Sequence, residues 1–325
     1  MTYDRSKAID YARRFWDRPC DDGVFWLTNE AINVERKRKE LKAPAADGWE
    51  PRFVKYIDSG GEAEKAIFMR PRPGGGRDEI LINDWAGLAD CAHFLSRCLT
   101  AGGVKIAELG VPSLVAKLQA RGDTKTLAEK VPRDRGQRIV DSGLFKIGDM
   151  VGYFNVSPTG DYGGRKEYAH SAMYTGKLPA SGDEGHITCH TMSRFGGLSE
   201  HPDKWFLYTD NRYVYTFIHF SADDPPPSAA TIAALPGWWK VQYAGRTEYY
   251  FILKDGRARY SLTAPKSAQA QLAGGDGSAY WFETGSTITF VWRNTGTMDV
   301  WTPGSGGNFS IVVNGIARGA ASRMF

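Results

Sequence analysis

Little in this chain points to a membrane, a disulfide scaffold or a nucleic-acid partner. No stretch reaches the roughly 18 consecutive apolar residues that a spanning helix needs, so no membrane span is expected. Four cysteines in 325 residues are too few for a disulfide framework. Cys91 and Cys98 would lie about 10 Å apart on one helix, too far to bridge, whereas Cys20 and Cys189 are left open as a pair. The excess of positive charge is only +4, which argues against nucleic acid. The dense run Glu35-Arg36-Lys37-Arg38-Lys39-Glu40 is closed by acids and reads as a solvated helix face. The amino-terminal segment is polar and amphipathic and lacks the apolar centre of a signal peptide, so cytoplasmic synthesis is expected. No metal-ligand spacing joins the histidines and cysteines, and neither metal nor cofactor is expected.

Aromatic residues are plentiful at 13%, and the ten tryptophans concentrate late in the chain. Ala8, Ile9, Tyr11, Ala12, Phe15 and Trp16 recur at helical spacing and predict a first helix over residues 4–17. Residues 43–82 mix proline, glycine and short apolar runs and read as an irregular insertion, and Pro71-Arg72-Pro73-Gly74-Gly75-Gly76-Arg77 as a loop. Residues 105–142 read as a charged, helical excursion. Four strands are then expected, around Met150-Val151-Gly152-Tyr153-Phe154, at residues 169–176, 186–191 and 213–220.

A cysteine-bearing helix followed by antiparallel strands bearing histidine predicts an α+β class. Residues 1–221 form one expected domain, with insertions at about 31–82 and 105–142, and the proline-rich stretch 222–236 is the expected linker. Residues 237–325 hold short strand patterns separated by Asp255-Gly256, Thr295-Gly296 and Asn314-Gly315 turns, which predict a small antiparallel barrel or sandwich. That end carries nine basic residues against five acids, so the whole net charge belongs to it.

The stretch richest in chemistry is Asp90-Cys91-Ala92-His93-Phe94-Leu95-Ser96-Arg97-Cys98-Leu99, closed by Gly102-Gly103. Asp90 is a good N-cap and the glycine pair a good stop, so a helix of about three turns is predicted. Phe94, Leu95, Cys98 and Leu99 form its apolar face, with Cys91 at the first turn. The positive end of a helix stabilises a thiolate, which makes Cys91 a candidate nucleophile; a small buried residue is the plainer reading.

A nucleophilic thiol needs a base, and the base needs a group to fix its tautomer. Of six histidines, His170 opens a strand whose alternate residues are apolar and is the candidate base. His190, one strand later, is the candidate orienting group, with His186 and Asn211 as rivals. His93 points away from Cys91 round the helix, His201 lies in a polar loop, and His219 reads as structural.

Taken in order, Tyr3-Asp4-Arg5 with Ala8, Tyr11 and Ala12, Asp90-Cys91 with Phe94, Ser96 and Leu99, Gly148-Asp149, His170-Ser171-Ala172, His190-Thr191 and Tyr215-Thr216-Phe217-Ile218-His219 resemble the bacterial amidase-domain family. That family is a branch of the papain-like cysteine hydrolases related to the NlpC and CHAP groups. Ala92, His93, Arg97 and Cys98 depart from its usual pattern. The resemblance implies a papain-like core and amide hydrolysis through a thioester. It assigns Cys91 as nucleophile, His170 as general base and acid and His190 as orienting residue. The Cys91 N–H would be one oxyanion donor, with the second from the segment about Asp84 or Asp90.

It further implies a peptide or peptidoglycan substrate. Without a signal peptide, that substrate implies export by a contact-dependent system as an antibacterial toxin, with an immunity protein or secretion machinery as partner. A protein-directed protease or deamidase, and a catalytically dead binding module, stay open. The terminal domain resembles a lipocalin-like barrel on Gly237-Trp238-Trp239, Tyr280-Trp281, Val291-Trp292 and Thr295-Gly296.

Overall fold

The computed structural model describes residues 3–15, 20–21, 50–58, 61–71, 77–82, 90–157, 166–177, 185–189, 212–243, 245–270, 272 and 277–325. Its elements are α1 (Arg5–Phe15), β1 (Glu50–Asp58), β2 (Gly61–Pro71), β3 (Arg77–Ile82), α2 (Asp90–Ala101), α3 (Val111–Gln119), β4 (Thr124–Val131), α4 (Arg133–Asp141), β5 (Met150–Asn155), β6 (Tyr168–Lys177), β7 (Gly185–Thr188) and β8 (Tyr213–Phe220). There follow α5 (Ala229–Ala234), β9 (Gly237–Tyr243), β10 (Arg246–Ile252), β11 (Arg257–Ser261), β12 (Gly277–Thr284), β13 (Thr287–Trp292), β14 (Thr297–Pro303), β15 (Phe309–Val313) and β16 (Ala317–Arg323). Among the described residues no helix is long and apolar enough to cross a membrane. The charged run 35–40 lies outside them.

The expected α+β class with a papain-like core is overturned, because the chain is mostly β and its largest assembly is a closed antiparallel barrel of eight strands. Prolines and glycines taken as signs of irregular chain instead mark strand ends and edges. Residues 50–82 form the sheet β1-β2-β3, in which Pro51 lies on an edge strand and Pro71 at a strand end. Those are positions where a missing N–H costs the ladder little. Likewise the excursion 105–142 is not all helix. Between α3 and α4 it holds β4, with Thr124, Thr126, Leu127, Ala128 and Val131 buried.

The chain divides into two compact units, Met1–Arg121 with Lys146–Tyr213, and Gly122–Phe145 with Val214–Phe325. In the first, α2 packs on α1, α3 and β6, and β6 lies between β5 and β7. The apolar spacing explains the packing: Phe94, Leu95, Cys98 and Leu99 of α2 are fully buried, and Ala8, Ile9, Ala12 and Phe15 of α1 are buried as well.

In the second unit β4 pairs with β8 and packs on β12 and β13. The barrel runs as a meander from β9 to β16, closed by pairing of β16 with β9. Alternate residues face inward, and Trp239, Tyr250, Trp281, Phe290, Trp292 and Trp301 fill the interior as one buried cluster. The barrel is therefore packed and not hollow. At one end of the cluster Asp299 accepts hydrogen bonds from the Tyr250 hydroxyl and the Trp292 indole, each at 2.7 Å.

Candidate active site

Cys91 is the second residue of the 12-residue helix α2 and is fully buried. Its backbone N–H belongs to the first turn, where N–H groups have no partner within the helix and favour an anion. The sequence-expected helix, from Asp90 to the glycine pair, is thus present. Asp90 starts it. Cys98, two turns on, is buried on the apolar face, and burial pushes its thiol well above the usual range. That thiol stays protonated and unreactive.

What holds α2 in place is a knot of three short segments far apart in sequence. The Gly102 carbonyl accepts the Asp4 N–H at 2.8 Å, just past the end of α2. A Cβ on Gly102 would stand 2.6 Å from the Tyr3 ring, so glycine is needed for this approach. The Tyr3 hydroxyl donates to the Gly148 carbonyl at 2.7 Å. Arg5 pairs with the fully buried Asp149 at 2.6 Å, whose other oxygen accepts the Lys146 N–H at 2.7 Å. Gly148 takes a φ of +88° against the Arg5 side chain, a conformation that side-chain-bearing residues rarely adopt. Tyr3, Arg5, Gly102, Gly148 and Asp149 therefore form a clamp that joins α1, α2 and the entry to β5.

His170 is the third residue of β6, the strand on which α2 packs, and it is buried. It lies opposite Tyr153 in the β5–β6 ladder, with ring centroids 4.9 Å apart and planes tilted by 50°. The next pair is Phe154 with Tyr168, so a bulge falls beside His170. Bulges bend a strand and re-aim its side chains, and they gather at functional sites. Neither the bulge nor the Tyr153 contact was legible from residue spacing, since both depend on the register between strands. Ser171, next in the chain, is buried, and its hydroxyl has no hydrogen-bond partner among the described residues.

Cys91 and His170 thus sit buried in one unit on two elements that pack together. A thiol at a helix start and an imidazole on the adjoining strand are the two groups that nucleophilic acyl transfer requires. His190, Asp84, Asn211 and His201 lie outside the described residues. His186 lies in β7, the neighbour of β6, and His93 is buried within α2. His219 belongs to the other unit, where its Nε2 meets Asp224 at 2.8 Å and Lys125 meets the second oxygen at 2.7 Å. No disulfide joins the four cysteines, all of which are buried, so Cys20 and Cys189 are not bonded to each other. Among the described residues no three His, Cys, Asp or Glu side chains gather as metal ligands. Comparison of the chain with models of known families, and with curated proteins, finds no match.

Proposed function

We propose that the protein is a cysteine hydrolase that cleaves an amide bond, with peptidoglycan peptides as the substrate. The observation that carries this reading is the placement of Cys91 in the first turn of α2 and of His170 on β6, with α2 packed on β6. The ordered motif from Tyr3 to His219, with its resemblance to bacterial amidases, supports it further.

In the proposed reaction His170 takes the thiol proton as the Cys91 sulfur attacks the carbonyl carbon of the amide. The carbonyl oxygen becomes an oxyanion, with the Cys91 N–H as one donor to it. Collapse breaks the C–N bond, and the amine leaves with the proton from His170. Water then gives a proton to His170 and attacks the thioester, which releases the acid and restores the thiol. His190 fixes the tautomer of His170, and the Asp90 region frames the oxyanion.

The barrel is the accessory module of this enzyme. Its eight-stranded meander is lipocalin-like, but its filled interior directs any binding role to its outer surface. Action on cell wall requires export, which a contact-dependent secretion system would supply, with an immunity protein guarding the producer.

Incubation with purified sacculi tests the reading. New muropeptides are expected from the native protein and none from Cys91→Ala. Unchanged sacculi, with deamidation or cleavage of proteins instead, would move the activity to a protein substrate. Equal products from Cys91→Ala would overturn the mechanism.

A further inference from the structure

On the first unit, the C-terminal half of α2, the strap of residues 105–108 and helix α3 enclose a cleft of about 480 Å³. Among the described residues Arg97, Lys105, Lys117 and Arg121 line it against a single lining acid, Glu108. Residues 1–236 carry equal numbers of acids and bases, so this gathering of cations is local and not part of a general positive field.

The strap and two of the cations, Arg97 and Lys117, are held in place before any ligand arrives. Thr100 Oγ1 donates to the Ile106 carbonyl at 2.9 Å, and the Ser96 hydroxyl both donates to the Glu108 carbonyl and accepts its N–H. These bonds fix the strap to α2. Arg97 is oriented by Asp21 through Nε at 3.1 Å and a terminal nitrogen at 2.5 Å. Glu108 is bound to Lys117 and the Ser113 hydroxyl, and both hold its carboxyl below the usual range. Its charge is therefore largely committed.

The carbonyls at the end of α2 are covered as well: the Gly102, Gly103 and Val104 N–H groups cap Cys98, Thr100 and Leu99. The anion-repelling end of the helix dipole is thus partly screened from the cleft.

We propose that this cleft binds a phosphate group carrying a small organic substituent. The four cations exceed Glu108 and the Asp21 that pairs with Arg97 by two charges, which matches the double charge of a phosphate, and their N–H donors match its several oxygens. The volume exceeds that of a bare phosphate and suits a small ligand. Among the described residues no aromatic side chain lines it, so they offer no stacking surface for a nucleobase. The ligand is either a free phosphomonoester or one unit of a phosphodiester-linked polymer.

Calorimetric titration of the full chain with glycerol 3-phosphate, and separately with a poly(glycerol phosphate) oligomer, tests the site at low and physiological salt. Saturable binding of at least one probe is expected, weakened by about tenfold or more in Lys105→Ala/Arg121→Ala. Lys105 is exposed, so Lys105→Glu alone provides a variant whose fold is not at stake and should weaken binding as well. Binding of the monoester identifies a free ligand, and binding of the oligomer alone a polymer. Cys91→Ala should bind as the native protein does, which keeps this site separable from the hydrolase reading. No saturable binding of either probe, or binding that both variants leave within about twofold, would overturn the proposal.

Discussion

Cys91 and Cys98 share a helix and are both fully buried, yet their surroundings differ. Burial keeps the Cys98 thiol protonated, whereas Cys91 lies in the first turn where N–H groups favour a thiolate. Brief treatment of the native protein with iodoacetamide should therefore modify Cys91 and spare Cys98, as read by peptide mass spectrometry. Labelling of Cys98 first would remove Cys91 from its role. Cys98→Ala should cost stability, on the order of 1 kcal/mol, with activity retained. His170→Ala should cost nearly as much activity as Cys91→Ala, because nucleophile and base act as a unit. His190→Ala should cost less, since an orienting group carries no proton itself.

At the scale of elements, the clamp is what makes the first unit a scaffold. Arg5→Met would leave the Asp149 carboxylate buried without its ion-pair partner, at a cost of about 3–5 kcal/mol. Tyr3→Phe removes only one hydrogen bond and should cost about 1 kcal/mol. Thermal unfolding of the two variants checks both the size and the order, and an Arg5→Met protein as stable as Tyr3→Phe would refute the clamp.

The elements of this region were largely legible. The Asp90 helix, the helix near residue 8 and strands β5 to β8 follow from apolar spacing, N-cap and glycine signals. The barrel strands that escaped, β12, β14 and β16, each hold residues that local propensity disfavours in a strand. β16 reads Ala-Arg-Gly-Ala-Ala-Ser-Arg, small because a Cβ on Gly319 would meet the Gln242 carbonyl at 2.5 Å. A Cβ on Gly277 of β12 would stand equally close to the Tyr260 ring. β14 ends in Pro303 and buries the acid Asp299. In each case a tertiary contact overrides local propensity. The candidate nucleophile and base could be named from residue types, but the Tyr153 partner and the bulge could not, since register is a property of two strands.

For the molecule as a whole, two acids of the second unit, the half-buried Asp224 and the buried Asp299, set opposite dependences on pH. Burial works to raise the Asp224 carboxyl, but His219 and Lys125 outweigh it and hold the group well below its usual range. Its contribution to stability is present above the unfolded carboxylate range and is lost only in strong acid. Asp299 is the reverse case. Burial inside the barrel raises it from 3.8 to about 6, against hydrogen bonds from Tyr250 and Trp292, and the nearby Glu248 charge adds to the rise. The folded state then binds more protons than the unfolded state across that interval. Stability from this group is full below pH 3.8, falls as pH rises through the interval and is absent above about 6.

The shift corresponds to about 3 kcal/mol between the two limits. Asp299→Asn keeps an oxygen to accept from Tyr250 and Trp292 but cannot ionise. Its stability should therefore match or exceed that of the native protein at neutral pH and fall behind it in mild acid. The difference between the two proteins should swing by up to about 3 kcal/mol. Urea titrations followed by tryptophan fluorescence at neutral pH and near pH 4 measure that swing, and Trp292, bonded to Asp299, makes the signal local. A difference that stays constant between the two conditions would show that Asp299 does not govern the acid response of the barrel.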